Sequence, residues 1–142
     1  RCSIKPIGGV YRMDIGLQIF YLHREPGSER NWNGANFTCV VTEEMRLAEP
    51  NDIPGLKDFI LTNIDRLDKH YWVGGRGDGQ VMAWLSSGDE VYPAPNNPPV
   101  WQAGHPTAVD TANCLDFRPM QTPGQLATGR CRTVHPFICE CL

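Results

Sequence analysis

Hydrophobic and polar positions change period several times along the chain, and each change marks an element. From Gly16 to His23 the run Leu17-Gln18-Ile19-Phe20-Tyr21-Leu22 is β-branched and aromatic, which predicts a strand. Glu25-Pro26-Gly27-Ser28 predicts the turn that ends it. Trp32, Ala35, Cys39 and Val40 then recur at i, i+3, i+7 and i+8, one face of a first helix. A second helix is predicted from Asn51-Asp52, with Asp52 as its cap and Pro54 in the first turn. Its apolar face is Leu56, Phe59, Ile60, Ile64 and Leu67. Tyr71-Trp72-Val73 and Val81-Met82-Ala83-Trp84-Leu85 read as short strands separated by the turn Gly74-Gly75-Arg76-Gly77-Asp78-Gly79. Pro93, Pro95, Pro98, Pro99 and Pro106 then exclude a regular helix or a central strand. Leu115-Asp116-Phe117 and Phe137-Ile138-Cys139 predict two more short strands, paired in the core through their apolar side chains. Residues 1–14 show no period and read as an irregular arm. The order of strand, two helices and several short strands around a long loop defines an α+β domain.

At 142 residues the chain is long enough to bury one substantial core. A net charge of −3 gives no electrostatic basis for binding nucleic acid. No apolar run approaches the roughly 20 residues of a membrane span. Six cysteines, an even number, point to three disulfides and an oxidising compartment, hence a secreted protein. Reduced thiols or a zinc site are the alternative, but no CxxC pair faces another, and Cys139-Glu140-Cys141 has the wrong spacing. No signal peptide is visible, so Arg1 is expected to begin a mature chain or an expression product. Asn36-Phe37-Thr38 is a glycosylation sequon. His23, His70, His105 and His135 are scattered without metal-ligand spacing. No nucleophile elbow, P-loop or dinucleotide motif occurs, so the chain is expected to be neither an enzyme nor the holder of a cofactor. Arg76-Gly77-Asp78 is the tripeptide that integrins recognise, weighed against a plain glycine turn.

Five elements in order resemble the C-type lectin-like domain. They are Trp32-x-x-Ala35-x-x-x-Cys39, Arg46-Leu47-Ala48-Glu49-Pro50, Tyr71-Trp72-Val73-Gly74-Gly75, Met82-x-Trp84-x-x-x-Gly88, and Cys114 with Cys131 and Phe137-Ile138-Cys139-Glu140. The resemblance runs from about residue 17 to the end, giving an arm, 1–16, tied to the C-terminus, and a domain, 17–142. It implies two helices packed on short antiparallel sheets, a long irregular loop region, and disulfides Cys39–Cys139 and Cys114–Cys131, with Cys2–Cys141 as the third.

Calcium-dependent members of that family bind sugar hydroxyls to a Ca²⁺ ion in the long loop, a hard cation that needs several oxygen ligands. The family's ligand positions fall here on His105 and Thr107, on Ala112, and on Ala127 and Thr128. Imidazole nitrogen, hydroxyl and methyl groups replace the carboxylates, so the resemblance implies the scaffold without the calcium site. The expected function is a calcium-independent module that binds extracellular protein. The alternatives are a defence lectin that binds glycan through a rearranged site, and a structural subunit of an extracellular homo- or hetero-oligomer. Val100, Trp101, His105, Asp110 and Asn113 are the candidate contacts, set around the Pro-rich insert.

Overall fold

The computed structural model describes residues 10–25, 27–64, 69–77, 81–92, 100–107, 113–121 and 124–142. Two strands open the chain, β1 (Val10–Ile15) and β2 (Gln18–His23), paired antiparallel across a turn at Gly16-Leu17. β1 corrects the sequence reading, which leaves residues up to 14 irregular. The alternation was there: Met13 and Ile15 point inward and are buried, while Arg12 and Asp14 face solvent and pair with each other at 2.9 Å. Gly16 supplies the positive φ of 61° that reverses the chain.

Helix α1 (Trp32–Phe37) is capped by Asn31, whose side chain accepts from the Gly34 N–H, and it continues into a π-helical turn, Thr38–Thr42. That turn explains a second difference. Trp32, Ala35 and Cys39 are buried as predicted, but Val40 is 46% exposed. The Glu43 N–H bonds to the Thr38 carbonyl, five residues back, and this wider turn rotates Val40 off the buried face. Helix α2 (Ile53–Asn63) starts at Asp52, which accepts from the Gly55 N–H at 2.9 Å, with Pro54 in its first turn. It buries Ile53, Leu56 and Ile60, followed by Ile64, with Phe59 partly buried. Leu67, assigned to the same face, lies outside the described residues.

The remaining strands are β3 (Arg46–Leu47), β4 (Tyr71–Gly77), β5 (Met82–Trp84), β6 (Glu90–Tyr92), β7 (Cys114–Phe117), β8 (Leu126–Gly129) and β9 (Phe137–Glu140). Their order is β1-β2-β9-β4-β5-β6, with β3 also on β9, β7 also on β4, and β8 on β7. Every junction is antiparallel except β4 against β9, which run parallel where Trp72 meets Phe137. β7 and β9, read as partners from the sequence, instead flank β4 from either side.

β4 also runs past Val73 into the glycines read as a turn. Gly74, Gly75 and Gly77 sit within the strand because neighbours leave no space for a Cβ. A Cβ there would stand 2.8 Å from the Leu47 carbonyl oxygen at Gly74, and would collide with Leu115 at Gly75 and with the Val81 carbonyl at Gly77. Close approach, not positive φ, demands these glycines. The core divides between a cluster under α2 that includes Phe20, Tyr71 and Phe117, and one under α1 that includes Trp32, Trp72 and Phe137. Disulfides Cys39–Cys139 and Cys114–Cys131 form as the resemblance implies. Cys141 is disulfide-bonded, and Cys2, the partner the resemblance gives it, lies outside the described residues.

Candidate functional site

Strand β8 forms one wall of the long-loop region. Its Leu126, Ala127 and Thr128 are all buried, because the strand pairs along its length with β7. On its other side, the Leu126 N–H donates to the Val100 carbonyl at 2.7 Å, and the Gln102 N–H donates to the Leu126 carbonyl at 2.8 Å. Gly124 permits this approach, since a Cβ there would collide with the Val100 and Trp101 backbone.

These contacts bring His105 and Thr107 onto Thr128. The Thr128 N–H donates to His105 Nδ1 at 3.1 Å, and the Thr128 hydroxyl lies 3.2 Å from the same nitrogen. Thr128 Oγ1 in turn accepts from the Thr107 N–H at 2.9 Å and stands 2.9 Å from the Thr107 hydroxyl. The His105–Pro106 peptide bond is cis. A ring nitrogen that accepts a backbone N–H must be unprotonated, so His105 is neutral with its proton on Nε2. Burial lowers its pKa from the ordinary 6.5, and the nearby Arg118 charge lowers it further.

Arg118 anchors the next layer. Its Nε donates to Asp116 Oδ1 at 2.7 Å and its Nη2 to Oδ2 at 3.3 Å, while Nη1 donates to Gln102 Oε1 at 3.0 Å. Gln102 Nε2 then donates to Gln121 Oε1 at 3.0 Å. Asp116 is fully buried. Burial pushes its carboxyl up to about 6, against Arg118, which pulls it down. Burial first and Arg118 second lower the pKa of His135; Lys69 lowers it further and Glu29 opposes them.

This arrangement does not fit calcium. The single Nδ1 lone pair of His105 is taken by the Thr128 N–H, and the Thr128 hydroxyl oxygen accepts the Thr107 N–H and contacts its hydroxyl. Ala127, buried in β8, carries no side-chain oxygen. A Ca²⁺ ion needs six to eight oxygens, for which these residues offer no set.

The other candidate contacts separate. Trp101 does not face outward. It is 4% exposed, packs into the core and donates from its indole to the Val91 carbonyl at 3.3 Å. Val100 is partly buried beside it, and the Asn113 carbonyl accepts the Gly77 N–H at 3.0 Å. Asp110, Ala112 and the insert from Pro93 to Pro99 lie outside the described residues. In the Arg76-Gly77-Asp78 tripeptide, Arg76 lies 5.0 Å above the Trp32 ring, and Asp78 lies outside the described residues. Asn36 is half-buried in α1 and lines a cavity of about 80 Å³ with Val40 and Leu85. That is well below the roughly 300 Å³ at which small-molecule pockets begin.

Sequence reasoning missed two features. Glu140 is buried, and its carboxylate accepts from Arg46 Nη2 at 3.1 Å, Gln18 Nε2 at 3.0 Å and the Glu49 N–H at 2.9 Å. The second is a meeting of distant histidines. His70 and His135, unremarkable by spacing, stand with ring centroids 5.4 Å apart, next to Asp116.

The family model described as the lectin C-type domain matches residues 28–141. Among solved structures, the chain is similar to the C-type lectin domain of murine dendritic cell inhibitory receptor 2 in complex with N-glycan. The two are 18% identical with a TM-score of 0.67, over 96% of this chain and 98% of that one. It is also similar to a calcium-independent type II antifreeze protein, at 18% identity and a TM-score of 0.68, over 96% and 93% of the two chains. A Ca²⁺-dependent type II antifreeze protein in its Ca²⁺-free form gives 15% identity and a TM-score of 0.71, over 92% and 97%. Among curated protein sequences, none matches the chain.

Proposed function

The chain belongs to the lectin C-type domain family, and from that premise we propose that it is a secreted, non-enzymatic module that binds extracellular protein without calcium. The observation that carries this reading is the closed network of His105, Thr107 and Thr128. At the positions that the resemblance gives to the family's ion ligands, His105, Thr107 and Thr128 are hydrogen-bonded to one another, beside the methyl of the buried Ala127. Family scaffolds place function in the loops, and here the loop side chains form a hydrogen-bonded surface and not a chelate. The similarity in fold to a calcium-independent type II antifreeze protein supports a scaffold that works without the ion. The disulfides support a secreted chain, and no helix among the described residues is long and apolar enough to cross a membrane. Asn36-Phe37-Thr38 is proposed as a glycan acceptor on that secreted chain.

Isothermal titration with CaCl₂ tests the ion directly, and millimolar Ca²⁺ is expected to give no saturable heat. The immobilised chain, exposed to extracellular fluid, is expected to retain the same proteins with EDTA and with free monosaccharides. A glycan array with Ca²⁺-dependent, sugar-competed binding would overturn the proposal in favour of the rearranged-lectin reading.

A further inference from the structure

The parallel step between β4 and β9 puts two distant histidines side by side. Trp72 is opposite Phe137, and His70 and His135 each stand two residues before that pair, so they occupy equivalent places on neighbouring segments. Asp116 reaches the same spot from the other side, since the β4–β7 ladder sets it opposite Trp72. One ligand atom from each of His70, Asp116 and His135 falls within 4.8 Å of the other two. We propose that these three side chains form a binding site for a divalent transition-metal ion of the zinc type, distinct from the long-loop position.

The donor set selects the ion. Two imidazole nitrogens and one carboxylate suit Zn²⁺, Ni²⁺ or Cu²⁺, whereas Ca²⁺ and Mg²⁺ require oxygen donors throughout. Zn–N bonds of about 2.0–2.1 Å place donors roughly 3.3 Å apart in a tetrahedron, so the imidazoles draw in when the ion arrives. Both histidines are half-buried and Asp116 is fully buried, so the site lies at the edge of the core.

Preorganisation comes from the surroundings. His135 is fixed by paired backbone bonds with Arg30, at 2.9 and 3.0 Å, and its ring packs edge-on against Trp72 at 4.7 Å. Asp116 is oriented by Arg118, which takes one lone pair of each carboxylate oxygen and leaves the others. Hydrogen-bonded outer partners of this kind accompany ligating carboxylates. Arg118 adds a positive charge beside the site, as does Lys69, which is paired with Glu29 at 3.7 Å, and both oppose the ion.

The whole chain, freed of metal by a chelator, would be titrated with ZnCl₂ by calorimetry and with CoCl₂ by absorption and tryptophan fluorescence. One ion per chain is expected, with Co²⁺ quenching Trp72 and excess Ca²⁺ failing to compete. His70→Ala and His135→Ala are each expected to weaken binding at least tenfold and to abolish the rise in Tm that Zn²⁺ gives the unmodified chain. If His135→Ala fails to fold for want of its Trp72 contact, His70→Ala, at a half-buried position, decides alone. No saturable binding up to millimolar Zn²⁺, or unchanged affinity in His70→Ala, would overturn the proposal.

Discussion

Glu140 carries more structural consequence than any other charged side chain described. Its buried carboxylate joins β9 to Arg46 on β3, Gln18 on β2 and the Glu49 backbone ahead of α2. Glu49 in turn accepts the Ser86 N–H beyond β5 at 2.8 Å. Replacing Glu140 by Ala removes the acceptor shared by Arg46, Gln18 and the buried Glu49 N–H, and a loss of about 2–4 kcal/mol is expected in urea unfolding. His105 carries a pH dependence. Its folded pKa lies below the ordinary 6.5, so as pH falls through 6.5 the unfolded chain takes up the proton first. Stability therefore falls with pH in that window and levels off once pH passes below the folded value. The imidazole is expected to titrate by NMR with a midpoint under 6.5, and His105→Gln should lessen the acid-side slope of the stability curve, to which His135, also lowered, adds. Little of this was legible beforehand. The Phe137-Ile138-Cys139-Glu140 motif marks Glu140 by resemblance, but no sequence spacing shows Arg46, Gln18 and Glu49 converging on it. Likewise His70, Asp116 and His135 are far apart along the chain and meet only through strand register.

Among the elements, the helices were the most legible, because their period is local. Asp52 was readable as a cap from its place before an amphipathic run, and it accepts the Gly55 N–H as expected. Asp52→Ala should cost about 1 kcal/mol in the same assay. The strands were less legible where glycine was involved. In sequence Gly74-Gly75-Arg76-Gly77 looks like a turn, since glycine commonly supplies positive φ. The strand uses it instead because Leu47, Leu115 and Val81 come too near for a side chain. Gly75→Ala, which drives a Cβ into Leu115, is expected to lower stability by roughly 1–3 kcal/mol. A neutral result would show that Leu115 can move aside. Val40 makes the complementary point: the apolar pattern predicts burial, and a π-helical turn, which the pattern does not show, rotates it outward.

At the scale of the whole molecule, the two described disulfides close very different loops. Cys39 and Cys139 are 100 positions apart, Cys114 and Cys131 only 17. In the chain-entropy model the long closure contributes about 4.7 kcal/mol and the short one about 3. Replacing Cys39 and Cys139 by Ala should therefore destabilise by roughly 1.5 kcal/mol more than replacing Cys114 and Cys131, measured by the shift in urea midpoint at equal m. The family and its framework bonds were legible because cysteines and tryptophans at their spacings are few and specific. The strand order was not, because it depends on contacts between remote segments. The place of β9 in that order matters most while the chain is being made. It lies between β2 and β4 and also holds β3, yet it comes after every other strand in the chain. At about 5–20 residues per second, a ribosome needs roughly 6–24 s to travel from β2 to β9. During that interval β2 can pair with β1 but not with β9. The sheet can close only after residue 140 has been made, so any hairpin of β1 and β2 formed before then presents an unpaired edge.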